Sequence, residues 1–278
     1  MRVPRRGVLL PRAEDREQPS GTFERLAELA AAAESLGFDS VWVRDGPSPG
    51  GEEPPGPGPV FEPYTLLGAL SVRTTTAALA VLPAGPSARL PSVMAKIVAG
   101  VDVISHGRSV LTLGTGPDAD PAAAEWLAEE LAVCRALLTE DLATFEGRHY
   151  RITGAPNRPR PVQQPRVPLV VAADRPELLD PVARLADALV VRGGVAETGA
   201  MVDALRRGCE DVGRDPGEVV VVWTGRLGTP AETTAGLPEA LADAGVGGFV
   251  VEVDADDGRE EIARLGSAVD AALTAASG

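Results

Sequence analysis

PSVMAKIVAGVDVISHGRSVLTLGTG, residues 91–116, packs a helix, a turn and a buried strand into one short run. Pro91 suits a helix start, because its missing N–H leaves no bond unmade there. Met94, Ile97, Val98, Val101 and Ile104 recur at three- and four-residue steps and give that helix an apolar face. His106-Gly107-Arg108 breaks it, and Ser109 to Leu113 follows with strand character. The strand runs out into Gly114-Thr115-Gly116, a turn whose backbone can approach a ligand closely. Helix, buried strand and glycine-rich loop make one unit of an α/β protein. How often the unit recurs decides the fold.

Working outward, strands are predicted at Arg6–Pro11, Phe38–Val43 and Ala77–Pro83, with helices over Phe23–Leu36, capped by Thr22, and over residues 61–73. Pro47–Pro59 is a Pro/Gly-rich loop. Beyond residue 116 the pattern gives a helix over Pro121–Leu138, then an extended excursion over Phe145–Pro165 read as a two-stranded ribbon and a polyproline segment. Strands follow at Pro168–Ala172, Ala188–Val191, Val219–Trp223 and Gly248–Val253. Their helices cover Pro176–Ala186, Glu197–Val212, Ala231–Ala244 and Arg259–Leu273. Most of these strands are continuous apolar runs, the signature of parallel sheets buried on both faces. Eight strand–helix alternations predict an α/β fold, a single (β/α)8 TIM barrel, and 278 residues suits the typical length of about 250. An open doubly wound sheet would favour G-x-G-x-x-G after the first strand, and none stands there. With no linker or shift in composition, residues 1–278 read as one domain.

Composition narrows the function. Hydrophobic residues make up 44% of the chain, yet no apolar run approaches the roughly 18–20 residues of a membrane span. The run Gly7–Pro11 is shorter than the about 7–15 apolar residues of a signal peptide, so a cytoplasmic protein with no membrane partner is expected. A net charge of −14 argues against nucleic acid. Cys134 and Cys209 fall on predicted helices without metal-ligand spacing, and the two histidines also lack such spacing, so buried thiols and no metal are expected.

In a barrel of this kind ligands bind where the strands end at their C-termini. Those ends are mostly small or apolar and suit a flat organic molecule. Asp45 reads as a general base or as a turn cap; Glu252 as a catalytic group or as the partner of an arginine. Arg44, Arg175 and Arg192 could hold a phosphate or carboxylate, or stand solvated. Gly114-Thr115-Gly116 could offer N–H groups to an anion or simply turn the chain. Trp42 and Trp223 read as core or pocket wall, and His106 and His149 as structural.

Several segments, in this order and spacing, resemble the bacterial-luciferase-like superfamily of flavin- and deazaflavin-dependent oxidoreductases. They are AESLGFDSVWVRD at 33–45, the 91–116 stretch, FEGRHYR at 145–151, RPVQQPRVPLVVAA at 160–173, ARLADALVV at 183–191, GRDP at 213–216, and GTPAET followed by ALADAGVGGFVV. The resemblance implies a TIM barrel with an insertion after the fourth strand, here shortened between Gly116 and the next helix. It also implies FMN or the deazaflavin coenzyme F420 in the barrel mouth, a small-molecule substrate and a homodimer. In such a mouth the cofactor would meet Trp42, Val81, Leu82, Gly114, Thr115, Gly116, Ala172, Ala173, Asp174, Arg175 and Arg192. Asp45, Glu252 and Arg44 would be the catalytic candidates.

Two departures from the family pattern stand out. Many relatives end the second strand in Asp-His, whereas this chain has Asp45-Gly46. Relatives also tend to have a glycine-rich turn after the fifth strand, replaced here by Ala172-Ala173-Asp174-Arg175, which sets a carboxylate beside any phosphate. The expected function is a redox enzyme acting on a hydrophobic small molecule. The alternatives are a barrel that has lost the cofactor and catalyses a cyclisation, dehydration or isomerisation, and a non-catalytic partner subunit.

Overall fold

A computed structural model describes residues 3–11, 19–45, 61–85, 89–115, 122–227, 236–254 and 258–275. The strands are β1 (Arg6–Leu9), β2 (Ser40–Asp45), β3 (Ala78–Pro83), β4 (Leu111–Gly114), β7 (Leu169–Ala172), β8 (Ala188–Val191), β9 (Val220–Gly225) and β10 (Gly248–Glu252). All pair in parallel, in the order β3-β2-β1-β10-β9-β8-β7-β4. The two edges meet through one parallel bridge, Leu79 to Ser109. There the Leu79 N–H donates to Arg108 O at 2.7 Å and the Val110 N–H donates to Leu79 O at 2.9 Å. The barrel is nearly closed, as the alternation predicts. Between α4 (Ala123–Thr139) and β7 lies the predicted ribbon, β5 (Ala143–Glu146) against β6 (Arg151–Ala155).

Two apolar layers arise from strand alternation. Leu9, Trp42, Ala80, Leu82, Val110, Val170, Ala188, Val190, Val222 and Val250 fill the barrel interior. Their neighbours along the strands, among them Val41, Val43, Leu79, Val81, Leu111, Leu113, Val191 and Phe249, face the helices. The helices are α1 (Pro19–Ser35), α2 (Pro63–Leu70), α3 (Pro91–Ile104), α4, α5 (Leu179–Leu185), α6 (Val195–Asp211), α7 (Leu237–Asp243) and α8 (Arg259–Ala275). Among the described residues no helix is long and apolar enough to cross a membrane.

Several predicted boundaries move. α1 begins at Pro19, so Thr22 is buried in its first turn and does not cap it; proline pre-set for the first turn outweighed the hydroxyl signal. α2 is shorter than residues 61–73, because the Glu62 carboxylate caps it by accepting the Thr65 N–H at 2.7 Å. α6 starts directly after Gly194. Cys134 and Cys209 are buried free thiols.

The end of the barrel where the strands begin is stapled by polar side chains. The Glu34 carboxylate on α1 accepts the N–H groups of Thr75, Thr76 and Ala77 ahead of β3. Arg108 donates to the carbonyls of Ser71, Thr74, Ala77 and Ser105 and to the Thr74 hydroxyl. The fully buried Asp102 accepts from the Ser109 hydroxyl, the Val162 and Gln163 N–H groups and the Gln163 amide. The segment RPVQQP therefore docks on the end of α3 that HGR terminates. These motifs fix the floor and leave the opposite end of the barrel free for chemistry.

Candidate functional site

The residues two positions on from Trp42, Val190, Val222 and Val250 share their inward direction at the upper ends of these strands. They are Arg44, Arg192, Thr224 and Glu252. Arg44 reaches over the end of β1 to Glu252, Nη2 to Oε1 2.7 Å. Glu252 Oε2 faces Arg226 Nε at 3.4 Å, and Arg226 Nη1 lies 2.6 Å from Asp254. This ladder of charges spans the half of the rim made by β2, β1, β10 and β9.

The other half stays open. Pro83, Ala84, Ala172, Ala173, Asp174, Val190 and Arg192 wall a shallow, open cleft over β3, β7 and β8. Gly114, on β4 between them, has no room for a side chain: a Cβ would lie 2.7 Å from Pro83 and 3.3 Å from Ala172 O. Arg192 lies among charges on both sides. Partial burial and then the Arg44 charge pull its guanidinium below the usual range, against Glu252 and Asp174, which act the other way.

Not every predicted residue meets at the cleft. Asp45 shares the outward direction of Val41 and Val43. Its carboxylate accepts from Arg89 at 3.0 Å, while Arg89 also binds Glu62 at 2.6 Å and lies 5.2 Å from the Tyr64 ring centroid. Burial opposes the ionised Glu62, but the Thr65 N–H, the Thr65 hydroxyl and Arg89 together hold its carboxyl below the ordinary value. Val81 faces the helix layer, so it does not line the mouth. Trp42 is fully buried, with its Nε1 donating to Ser40 Oγ at 3.0 Å and crowding Gly7, which makes it floor beneath the site. Leu82 lies in the barrel interior below Pro83. Ala172, Ala173 and Asp174 wall the cleft and Arg175 does not. Gly116 lies outside the described residues.

Sequence reading named Thr115 and missed two further hydroxyls, Thr112 and Thr224. Thr112, one inward step below Gly114, Thr224 beside Arg192, and Thr115 just beyond β4 are buried, and none has a hydrogen-bond partner among the described residues. A buried unpaired hydroxyl costs about 1–3 kcal/mol. Their signal was present, a polar residue inside each of the apolar runs SVLTLG and VVVWTG. Small apolar walls fit one face of a flat ring, as a flavin or deazaflavin would present.

Away from the mouth, Glu125, Glu129 and His149 bring ligand atoms within 4.8 Å of one another. Glu129 there accepts the N–H groups of Arg148, His149 and Tyr150, and Trp126 stacks on His149 at 3.8 Å. The cluster pins the ribbon tip to α4, the structural role expected for His149.

A family model described as luciferase-like monooxygenase matches residues 5–244. An F420-dependent glucose-6-phosphate dehydrogenase of Nakamurella multipartita is 33% identical over 204 residues, 68% of this chain and 59% of that protein. A 5,10-methylenetetrahydromethanopterin reductase of Methanolobus tindarius is 26% identical over 212 residues, 73% of this chain and 61% of that one. The chain thus spans about three fifths of the length of these relatives. An F420-dependent secondary alcohol dehydrogenase, solved with an F420–acetone adduct, superposes with a TM-score of 0.74 at 15% identity, covering 95% of this chain and 99% of that one. That last likeness is one of fold.

Proposed function

The chain belongs to the luciferase-like monooxygenase family, and from that membership we propose that it is an oxidoreductase using a deazaflavin or flavin cofactor in the open half of the barrel mouth. The observation that carries the reading is the small-walled cleft at the mouth of a barrel of this family. The F420-dependent activities named for the glucose-6-phosphate dehydrogenase relatives favour the deazaflavin over FMN. When bound, the cofactor supplies hydride transfer or, with oxygen, oxygenation.

The residues of the chain bind, orient and shield. Ala84, Ala172 and Ala173 let a ring lie flat, with Val190 beneath it. The Arg44–Glu252–Arg226 ladder fixes the Glu252 carboxylate on the far half of the rim, as the inward carboxylate that can take up or return a substrate proton. Asp174 offers no help to a phosphate, and its replacement by glycine tightens a phosphate-bearing cofactor.

The test is titration of the purified protein with coenzyme F420, FMN and reduced FMN, followed by fluorescence and calorimetry. Micromolar binding of one of them is expected. No binding of any would overturn the reading and favour a cofactor-free enzyme. That second reading has its own support in Asp45-Gly46, which lacks the imidazole of many relatives, and in Asp174 beside the cleft.

A further inference from the structure

Three arginines turn toward the mouth from β2, β8 and the end of β9, and two of them are spoken for. Arg44 is held by Glu252, and Arg226 by Glu252 and Asp254. Arg192 makes no hydrogen bond or ion pair with any described residue, yet it forms part of the wall of the cleft. It extends inward from β8 in line with Ala188 and Val190. Charges from both sides reach it, Arg44 and Glu252 across the barrel and Asp174 beside it. Just past the end of β8, Arg192 is exposed on the wall of the cleft, within reach of a molecule bound there.

A guanidinium without a partner at the edge of an apolar wall is half of a charge-assisted pair. Asp174 on the same cleft repels a second negative group, so the site suits one anion on an otherwise apolar body. We infer that Arg192 recognises a single carboxylate or phosphate group on the substrate. The inference rests on the oxidoreductase reading and names the class of substrate that reading leaves open: a small organic monoanion.

The test uses inorganic phosphate and acetate as probes, titrated by calorimetry at fixed ionic strength into wild type and Arg192→Met, with and without saturating cofactor. Arg192 has no described partner to lose, and circular dichroism checks that the variant folds. One or both anions should bind the wild-type cofactor complex at millimolar concentration and bind the variant more weakly, on the order of tenfold or more. Cofactor affinity should change by less than about threefold. Equal anion binding by the two proteins would overturn the inference. So would a cofactor affinity that falls about tenfold in Arg192→Met, because the anion would then be the cofactor's own phosphate. If neither protein binds a cofactor, the oxidoreductase reading fails by itself. The cofactor-free titrations still decide on Arg192: phosphate binding lost in the variant keeps the anion subsite, and unchanged binding removes it.

Discussion

Two carboxylates at the ends of nearby strands meet different fates because side chains alternate along a strand. Glu252 follows Val250 into the barrel, whereas Asp45 follows Val41 and Val43 toward the helices, where Arg89 ties it to Glu62. On the proposed reading, proton handling falls to Glu252 and stability to Asp45. Glu252→Gln should lower turnover by about 100-fold or more, while Asp45→Asn should cost about 0.5–1 kcal/mol of stability. Steady-state rates of both variants beside their urea-unfolding curves check this. A larger loss of turnover in Asp45→Asn than in Glu252→Gln would return Asp45 to the chemistry. Both residues were legible as strand-end carboxylates, but their directions were not. In a strand that is apolar on both faces the pattern does not say which face is inward, and Arg89, the partner of Asp45, lies 44 residues away in the chain.

At the level of elements, the sequence showed every strand of the barrel and the ribbon, because continuous apolar runs between helical periodicities leave little freedom. It did not show what ties the elements together, since those ties pair single polar residues far apart in the chain. Glu34 is the clearest case. Burial alone would raise its carboxyl, but the N–H groups of Thr76, Ala77 and Thr75 and the Thr76 hydroxyl outweigh burial and bring it down to about 2 from an ordinary 4.5. A carboxyl that titrates lower in the folded state contributes fully above its unfolded value and is lost as pH falls through the folded one. The contribution of Glu34 should thus be complete above pH 4.5 and fade toward pH 2. Glu34→Gln should be less stable than wild type by about 1–2 kcal/mol at neutral pH, after allowance for its partial exposure. Urea unfolding of both proteins at pH 7, 5 and 3 should show that gap narrowing below pH 5. A gap that stays constant to pH 3 would mean that the staple does not depend on the charge.

The whole molecule carries a net charge of −14, from 26 basic and 40 acidic side chains, while its mouth presents an open arginine. These act at different ranges. The net charge repels an approaching anion from a distance, and salt screens it over a Debye length of about 10 Å at 0.1 M. Arg192 acts at contact, inside the cleft, where screening is weaker. Association of a phosphate-bearing cofactor such as FMN should therefore quicken as ionic strength rises from 0.01 to 0.1 M, by roughly two- to fivefold. That is the reverse of the behaviour of proteins that steer anions with broad basic surfaces. Stopped-flow quenching of FMN fluorescence across that range measures the association rate. A rate that falls with salt would place the governing field in the mouth, so that the arginines of the rim would outweigh the acidic surface even at a distance.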